Sequence, residues 1–325
     1  MNFSATYFNR ETYDILLSPG SSVSNTIGFG VGVQNSGRLE NKGFEFTLGH
    51  QKSIGNFTYN ISSNLTILNN SMLDLGVGNI VQPNGMIGNG SSLFIGEPLE
   101  LYYGFTADGL FLDQTDIDNY ADQSSVNTTP HPGDIRYKDI SGPDGVPDGQ
   151  VDATYDRTVL GTRIPKYNYG INLGAGYKGF NLNILLQGTA GVSGDLSNAA
   201  GFAFMNQGGI QRWQAQERWR PDNPSRNAAY PRLETIPNGG TANTLSSSFW
   251  VLDASYLKVR NVQLTYNLPN ALTSAIKMQG LQIRLGAENL LAFHNYRKGW
   301  DPELNTELNY YPILRNYTVG IKANF

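Results

Sequence analysis

Apolar and polar residues alternate along several long segments of the chain. From 167 to 177, every odd-numbered residue is apolar or aromatic and every even-numbered residue is Asn or Gly. The dipeptide Lys178-Gly179 then leads into a second segment, 180–187, with nearly the same alternation. A period of two is that of a β-strand with one apolar face. The pair therefore predicts a tight antiparallel hairpin.

The same alternation recurs in six further segments, at 2–8, 42–49, 57–67, 261–269, 281–289 and 315–325. Most of the alternating segments run for about 9 to 14 residues, whereas strands of soluble proteins cluster at about 5 to 6. A tilted strand that crosses a bilayer needs about 9 to 11 residues. The pattern thus predicts about eight strands, most of them long enough to span a membrane.

The predicted connections differ in length in an orderly way. The short ones lie at 51–56 and 178–179, a moderate one at 269–279, and the long ones at 10–38, 69–165, 189–250 and 291–312. Short turns on one side and long loops on the other are typical of an outer-membrane barrel. Aromatic residues near strand ends fit a girdle at the lipid headgroups; these are Tyr167, Tyr177, Phe180 and Tyr266.

Composition favours a polar interior that contains water. Only 15% of the 325 residues are charged, against about 25% in globular proteins. Gly, Asn, Ser and Thr replace the charges, and mean hydropathy is -0.34. A soluble β-sandwich, such as a secreted carbohydrate-binding module, is the alternative, but its outward faces should carry more charge. The net charge of -4 and the scattered Lys and Arg exclude nucleic-acid binding.

No pattern in the sequence indicates an enzyme. The three histidines lie in separate segments without metal-ligand spacing, and there is no cysteine. Nucleophile, Walker and Rossmann motifs are not found; the glycines of GFGVGVQNSG precede no predicted helix. No segment has the apolar run of a membrane helix, and the N-terminus lacks the pattern of a signal peptide.

Two groups of residues are candidate binding sites. The stretch DISGPDGVPDGQVD holds four aspartates that predict a calcium-binding loop, because alternating Asp and Gly can wrap oxygen ligands around the ion. They are Asp139, Asp144, Asp148 and Asp152. The EF-hand pattern is not met, so the alternative is a simple acidic turn.

Three tryptophans in the long segment 189–250 are candidates for stacking on a ligand: Trp213, Trp219 and Trp250. Their rings could contact sugars or peptide side chains, and the alternative is that they pack the loops on one another. The stretch GIQRWQAQERW around the first of them predicts a short helix.

An ordered series of motifs resembles the SusC/RagA-like TonB-linked outer-membrane transporters. The segments are NKGFEF (41–46), GDIRYKDI (133–140), DRTVLG (156–161), PKYNYGINLGAGYKGFNLNILLQGTAG (165–191), RWRPDNP (218–224), SYLKVRNVQLTYNLP (255–269), GAENLLAF (286–293), GWDPE (299–303) and YPILRNYTVGIKANF (311–325). Each motif alone is weak, but the series covers nearly the whole chain.

The resemblance implies that residues 1–325 are the C-terminal part of such a transporter: an all-β, antiparallel transmembrane barrel, partial, with about eight strands and long extracellular loops. We expect the signal peptide, the TonB-contacting segment and the plug domain to be missing. The location would be the outer membrane of a Gram-negative bacterium. The intact protein would import oligosaccharides, peptides or similar nutrients.

The resemblance also implies partners. A SusD-like surface lipoprotein would cap the loops, the TonB complex would supply energy through the missing part, and the barrel-assembly machinery would read Tyr317 and Phe325 in the last strand. The alternative membrane reading is a small self-closing barrel that acts as a passive channel or anchor, because eight strands are an even number.

Overall fold

The structure is a computed structural model that describes residues 1–18, 32–89, 92–205, 208–237, 240–275, 277–304 and 311–325. Within these ranges the strands are β1 (Asn2–Leu17), β2 (Gln34–Ile54), β3 (Phe57–Asp74), β4 (Ile80–Val81), β5 (Ile87–Gly88), β6 (Leu101–Phe105), β7 (Ala107–Leu110), β8 (Ile135–Tyr137), β9 (Arg157–Thr162), β10 (Tyr167–Tyr177), β11 (Phe180–Ala190), β12 (Ser193–Asp195), β13 (Val251–Asp253), β14 (Tyr256–Asn267), β15 (Gly280–His294) and β16 (Asn316–Asn324).

Helices are short in the described part of the chain. They are α1 (Gln114–Asp118), α2 (Asn198–Gly201), α3 (Arg212–Glu217) and α4 (Asn270–Ala275). Helix α3 confirms the helix predicted in GIQRWQAQERW; its first turn is capped by Gln211, whose backbone N–H donates to Gln214 Oε1 at 2.8 Å. Among the described residues, no helix has the length and apolar character needed to cross a membrane.

The eight predicted strands form one antiparallel sheet. Its order is β1-β2-β3-β10-β11-β14-β15-β16, so each strand pairs with the one that precedes it among the eight. The two-residue turns at 55–56 and 178–179 and the longer 268–279 connection lie at one end, and the long connections lie at the other. In the described ranges β1 and β16 do not pair with each other. The sheet is therefore open, as expected for part of a barrel.

One face of this sheet is apolar and outward-facing. Leu285 is paired with Leu264 on one side and with Val319 on the other, and these three side chains share a face. They are 47%, 37% and 78% exposed, respectively. Since the apolar side chains do not turn onto a packed core, the structure confirms the predicted direction of the two faces. A soluble sandwich would bury this face.

The apolar face has the height of a bilayer core. Strand β10 has 11 residues, and at a rise of about 3.3 Å and a tilt of about 40° it spans about 25 Å. An aromatic row crosses the short-turn end, where Phe57, Tyr177, Phe180 and Tyr266 are neighbours in register. The Phe180 and Tyr266 rings stack with centroids 4.2 Å apart. Tyr177, Phe180 and Tyr266 are three of the four residues predicted for a girdle, and Tyr167 lies at the opposite end of β10; their position at the lipid headgroups stays a prediction.

Several strands are longer than predicted, and the difference is largest in β1 and β2. Strand β1 continues to Leu17 and β2 begins at Gln34, so the long loop placed at 10–38 is shorter, and residues 19–31 lie outside the described residues. Their ladder continues through pairs such as Glu11 with Glu40. Backbone hydrogen bonds can pair two strands whatever their side chains are. The strands can therefore continue beyond the apolar band, where neither face has to be apolar and the alternation ends.

A β-bulge changes the phase of β14. In the ladder with β11, the adjacent residues Leu185 and Leu186 pair with Asn261 and Val259, so Arg260 is the extra residue on β14. On β15, Asn289 has φ of +52° beside this irregularity. The extra residue puts Arg260 and Asn261 on the polar face one after the other, because a bulge re-aims the side chains around it.

The segments that join β3 to β10 and β11 to β14 pack on each other into a folded unit, here called the cap. A parallel bridge between Phe105 and Ser247 links the two segments. The apolar core of the cap consists of Phe105, Leu110, Ile135, Tyr137, Val151, Phe202, Ala203, Trp219, Tyr230 and Trp250. The alternation pattern predicted only loops here, so the cap is a finding of the structure.

Candidate functional site

The polar face of the sheet is built from small and amide side chains. Gly174 pairs with Asn60 on β3, and a Cβ at Gly174 would overlap the Asn60 amide oxygen. Gly170 has the same relation to Asn64. Each glycine therefore leaves room for the amide of the neighbouring strand to lie flat on the sheet. The result is a neutral face rich in hydrogen-bonding groups.

A charged cluster joins this polar face to the β15–β16 connection. Lys258, on β14, is only 2% exposed. Its Nζ donates to both carboxylate oxygens of Asp301 at 2.5 and 2.7 Å and to Glu303 Oε2 at 2.6 Å. Arg260 and the Tyr256 hydroxyl donate to the other oxygen of Glu303. We call these five residues the latch cluster.

The latch cluster pairs two cations with two carboxylates, so its burial is compensated. Burial raises the pKa of Glu303, but the hydrogen bonds from Lys258 and Tyr256 outweigh it and leave the pKa below its ordinary value. The cluster fixes the turn at 301–304 against the wall of the sheet. The sequence contained a signal for it, a Lys within the strand SYLKVRN and two carboxylates in GWDPE, although the contact itself could not be read from spacing.

Two of the three candidate tryptophans lie in the core of the cap, which favours the alternative that they pack the loops on one another; a role in ligand binding stays a prediction. Trp219 and Trp250 are 8% and 2% exposed. Trp250 Nε1 donates to the Asn243 carbonyl at 2.8 Å, and its ring makes edge contacts with Phe202 and Tyr230. Aromatic rings of this size stabilise a fold by burial, and here they hold the loops together.

Trp213 is half-buried and also contributes to packing. Its ring meets Tyr230 edge-on, with centroids 5.6 Å apart. The Arg297 guanidinium lies 4.5 Å from the Trp213 ring centroid, so a cation from the β15–β16 connection covers it. A role of Trp213 in ligand binding stays a prediction.

Trp250→Phe should destabilise the cap by about 1–3 kcal/mol, because the buried Asn243 carbonyl loses its donor. Limited proteolysis of the cap and the shift of its thermal transition measure the effect. Phe249→Leu, at the half-buried neighbouring position, is the control, because it leaves the hydrogen bond from Trp250 Nε1 to the Asn243 carbonyl intact. Unchanged stability with weakened ligand binding would contradict the packing role.

The four candidate calcium ligands are not brought together. Asp139 Oδ2 accepts a hydrogen bond from the Gly149 N–H at 2.6 Å. Asp148 Oδ1 accepts one from the backbone N–H of Gln150. Asp152 Oδ1 accepts from Thr154 and Tyr155, while Asp144 is exposed. Among the described residues no group of three or more acidic or histidine side chains is arranged to hold a metal.

Asp156 is the residue that closes this acidic loop. It is fully buried, and its carboxylate accepts backbone N–H groups from Ile140, Ser141 and Asp152 at 2.7–3.2 Å. Burial raises the pKa of Asp156, and the three donors offset only part of that effect. The loop is thus held by hydrogen bonds to backbone.

Calcium binding to the 139–152 aspartates stays a prediction with a direct test. If calcium binds, the loop has to rearrange and calcium should slow its cleavage by protease relative to EGTA. Asp144→Asn should abolish that difference, whereas Asp118→Asn on α1 should not. Equal cleavage rates with calcium and with EGTA would contradict the prediction.

The two candidate assembly residues lie at opposite ends of β16, which is the last strand in the order of the sheet. Tyr317 pairs with Ala287 and is exposed on the apolar face of β16. Phe325 follows β16 directly and is exposed as well. This position leaves both rings accessible to another protein, and recognition by the assembly machinery stays a prediction.

No protein-family model matches the chain. Curated relatives are similar over its length: TonB-dependent receptor P3 of Formosa agariphila is 26% identical over 100% of this chain, and TonB-dependent receptor P26 of the same organism is 27% identical over 98%. The matched region is 32% of each receptor. The chain therefore spans about a third of the length of these relatives.

Solved structures agree on the fold. The RagAB peptide transporter matches 99% of this chain and 33% of its own, with a TM-score of 0.69 and 23% identity. The RagAB peptide importer in the open-open state gives a TM-score of 0.70 with 24% identity. These proteins are named as receptors and transporters, which agrees with the prediction that the chain is no enzyme. The predicted resemblance is confirmed: along its whole length the chain is similar to TonB-dependent receptors, and its fold is that of about a third of a SusC/RagA-like transporter.

Proposed function

We propose that this chain forms part of the barrel wall of a TonB-dependent outer-membrane transporter, together with the cap above it. The observation that carries the proposal is the pair of opposed faces. One face presents Leu, Ile, Val and aromatic side chains outward, and the other presents Asn, Gly, Gln and Thr. Hydrocarbon on one side and water on the other is the environment that such a sheet requires.

The proposed cargo rests on the similarity to TonB-dependent receptors and on the size of the sheet. Eight strands already form a wide sheet, and barrels of many strands enclose a lumen wider than one side chain. We therefore propose that the intact protein imports oligosaccharides, peptides or similar nutrients. The peptide transporter structures that share the fold support peptides within this group.

The partners are proposed on the same basis. A SusD-like lipoprotein would cover the long-loop side, where the cap presents a large folded surface. The TonB complex would act from the opposite, short-turn side through a segment outside this chain. The barrel-assembly machinery would contact the last strand at Tyr317 and Phe325.

A passive eight-stranded barrel is the second candidate, and the strand pairing weighs against it. Closure would require β1 to pair with β16, and within the described ranges each has one paired side only. An unpaired edge in a membrane leaves backbone groups unsatisfied, which is unfavourable. A larger barrel satisfies both edges with other strands.

The experiment is uptake of labelled peptides and oligosaccharides by cells that express the intact gene product. Uptake should stop when a protonophore collapses the inner-membrane potential and when TonB is removed, because the energy comes from there. Uptake that continues under both conditions would contradict energy coupling and favour the passive channel. A lipoprotein that copurifies with the wild type supports the proposed partner.

A further inference from the structure

A cavity of about 250 Å³ lies where the cap meets the polar face of the sheet. Thr189 and Tyr256, which pair at the long-loop ends of β11 and β14, form its wall side. Tyr102 and Arg163 contribute from the cap, and Glu303 comes from the latched turn. The cavity therefore lies on the side of the sheet that faces water, at the entrance from the cap.

The polar groups around this cavity are already engaged with one another. Arg163 Nε donates to the Tyr102 hydroxyl at 3.2 Å, and the Asp195 backbone N–H donates to the same hydroxyl at 3.3 Å. Tyr256 donates to Glu303, which also accepts from Lys258. A ligand that needs several hydrogen bonds would have to break these contacts.

Most of the remaining lining is apolar. Besides Ser193, Gly194 and Asp195 of β12, it consists of Pro165, Val192, Ala254, Pro302 and Leu304, together with the faces of the two tyrosine rings. Small-molecule sites usually measure about 300–1,000 Å³. This cavity is smaller, so it suits one residue of a ligand rather than a whole one.

We propose that the cavity is a subsite for one apolar or aromatic side chain of a peptide that passes along the polar face. The proposal rests on the proposed transport function. A sugar unit is a poor match, because its hydroxyl groups need unengaged partners and the lining has few. The backbone on either side of the bound residue would lie on the Asn- and Thr-rich surface, which offers hydrogen bonds.

The test uses tripeptides Ala-X-Ala with a fluorophore and the protein purified from outer membranes. Burial of a Leu or Phe side chain should make those peptides bind about 10- to 100-fold more tightly than peptides with Ser or Glu at X. Equal affinities for the four peptides would overturn the proposal. Displacement by a trisaccharide at the same concentration as the Leu peptide would also overturn it.

Two variants test the cavity itself. Ser193 lines the cavity, so Ser193→Phe should fill it and remove the preference for Leu and Phe, whereas Ser124→Phe on the exposed cap surface should leave the preference unchanged. Leu304→Ala enlarges the cavity and should shift the peptide preference toward Trp at X. If Ser193→Phe does not fold, Leu304→Ala alone tests whether the cavity is the subsite. A preference retained in both cavity variants contradicts the proposal.

These outcomes are separable from those of the transport test. If energy-dependent peptide uptake holds and Ala-X-Ala binding shows no side-chain preference, only the subsite is wrong. If uptake is independent of energy, the proposed function fails whatever the preference.

Discussion

Lys258→Met should destabilise the folded protein by about 1–3 kcal/mol, since it leaves two partly buried carboxylates without their main cation. Lys258 Nζ contacts three oxygens of Asp301 and Glu303, and Met replaces the stem without the charge. We expect the turn at 301–304 to leave the wall and become sensitive to protease. Urea unfolding in phospholipid vesicles and the cleavage rate at this turn measure both effects.

The control is Lys138→Met. Lys138 is half-exposed, and its Nζ lies 3.9 Å from Asp108, so the loss of this surface pair should change stability by no more than about 1 kcal/mol. Adding Asp301→Asn to Lys258→Met should recover part of the loss, because one unpaired charge disappears. Equal effects of Lys258→Met and Lys138→Met would contradict a stabilising role for the latch cluster.

The pH dependence of the latch follows from the lowered pKa of Glu303. A carboxylate whose folded pKa is below the unfolded value, 4.5 for this group, contributes stability above that value and loses it as pH falls through the folded pKa. The turn should therefore stay attached at pH 5 and detach only under more acidic conditions. Detachment between pH 7 and 5 would contradict the assigned pairing.

Leu285→Arg should reduce insertion of the sheet into a membrane. Leu285 lies in the middle of the apolar face, between Leu264 and Val319. Arg at the bilayer midplane costs about 2–4 kcal/mol, a change of about 30- to 700-fold in the insertion equilibrium. Protease protection after refolding into vesicles measures the inserted fraction.

Gln263→Arg is the matched control for depth. Gln263 pairs with Gly286, next to Leu285, but its side chain is on the polar face. Water on that side should let the new cation stay hydrated, so insertion should be close to wild type. Similar losses in both variants would mean that the two faces have been assigned the wrong way round.

The eight long strands could be predicted from sequence because each has one face that must be apolar. That constraint ends beyond the apolar band, where β1 continues through Glu11 and β2 begins at Gln34 with polar residues on both faces. Pattern alone therefore placed a loop there. The turn at 178–179 was predicted because it interrupts a clear alternation, and the turn at 55–56 lies within the short connection predicted at 51–56.

The cap could not be predicted in this way, because its contacts join residues far apart in the sequence. Ile135 donates its backbone N–H to the side chain of Asn243, 108 residues away, at 2.7 Å. Trp250 packs on Phe202 and Tyr230 from two further segments. A Trp in a long connection has the same local sequence signature whether it is buried or exposed, so burial had to come from the structure.

The sequence contains a signal for the latch cluster, but the cluster was not predicted from it. Lys258 and Arg260 are the two charged residues of an otherwise apolar and neutral strand, and a cation there needs a partner if it is buried. The alternation around it has a spacing of three between Val259 and Val262, which marks the bulge. The partners of Lys258 could not be predicted, because Asp301 and Glu303 belong to a long connection whose course does not follow from the alternation pattern.

The bulge at Arg260 also determines where β14 can tolerate a change of length. Outward-facing positions are odd-numbered before it, as at Leu257 and Val259, and even-numbered after it, as at Val262 and Leu264. Loss of one residue at Arg260 would restore strict alternation and leave both halves of the strand in their present orientation. The same loss elsewhere in the strand would turn one half of its apolar side chains toward water.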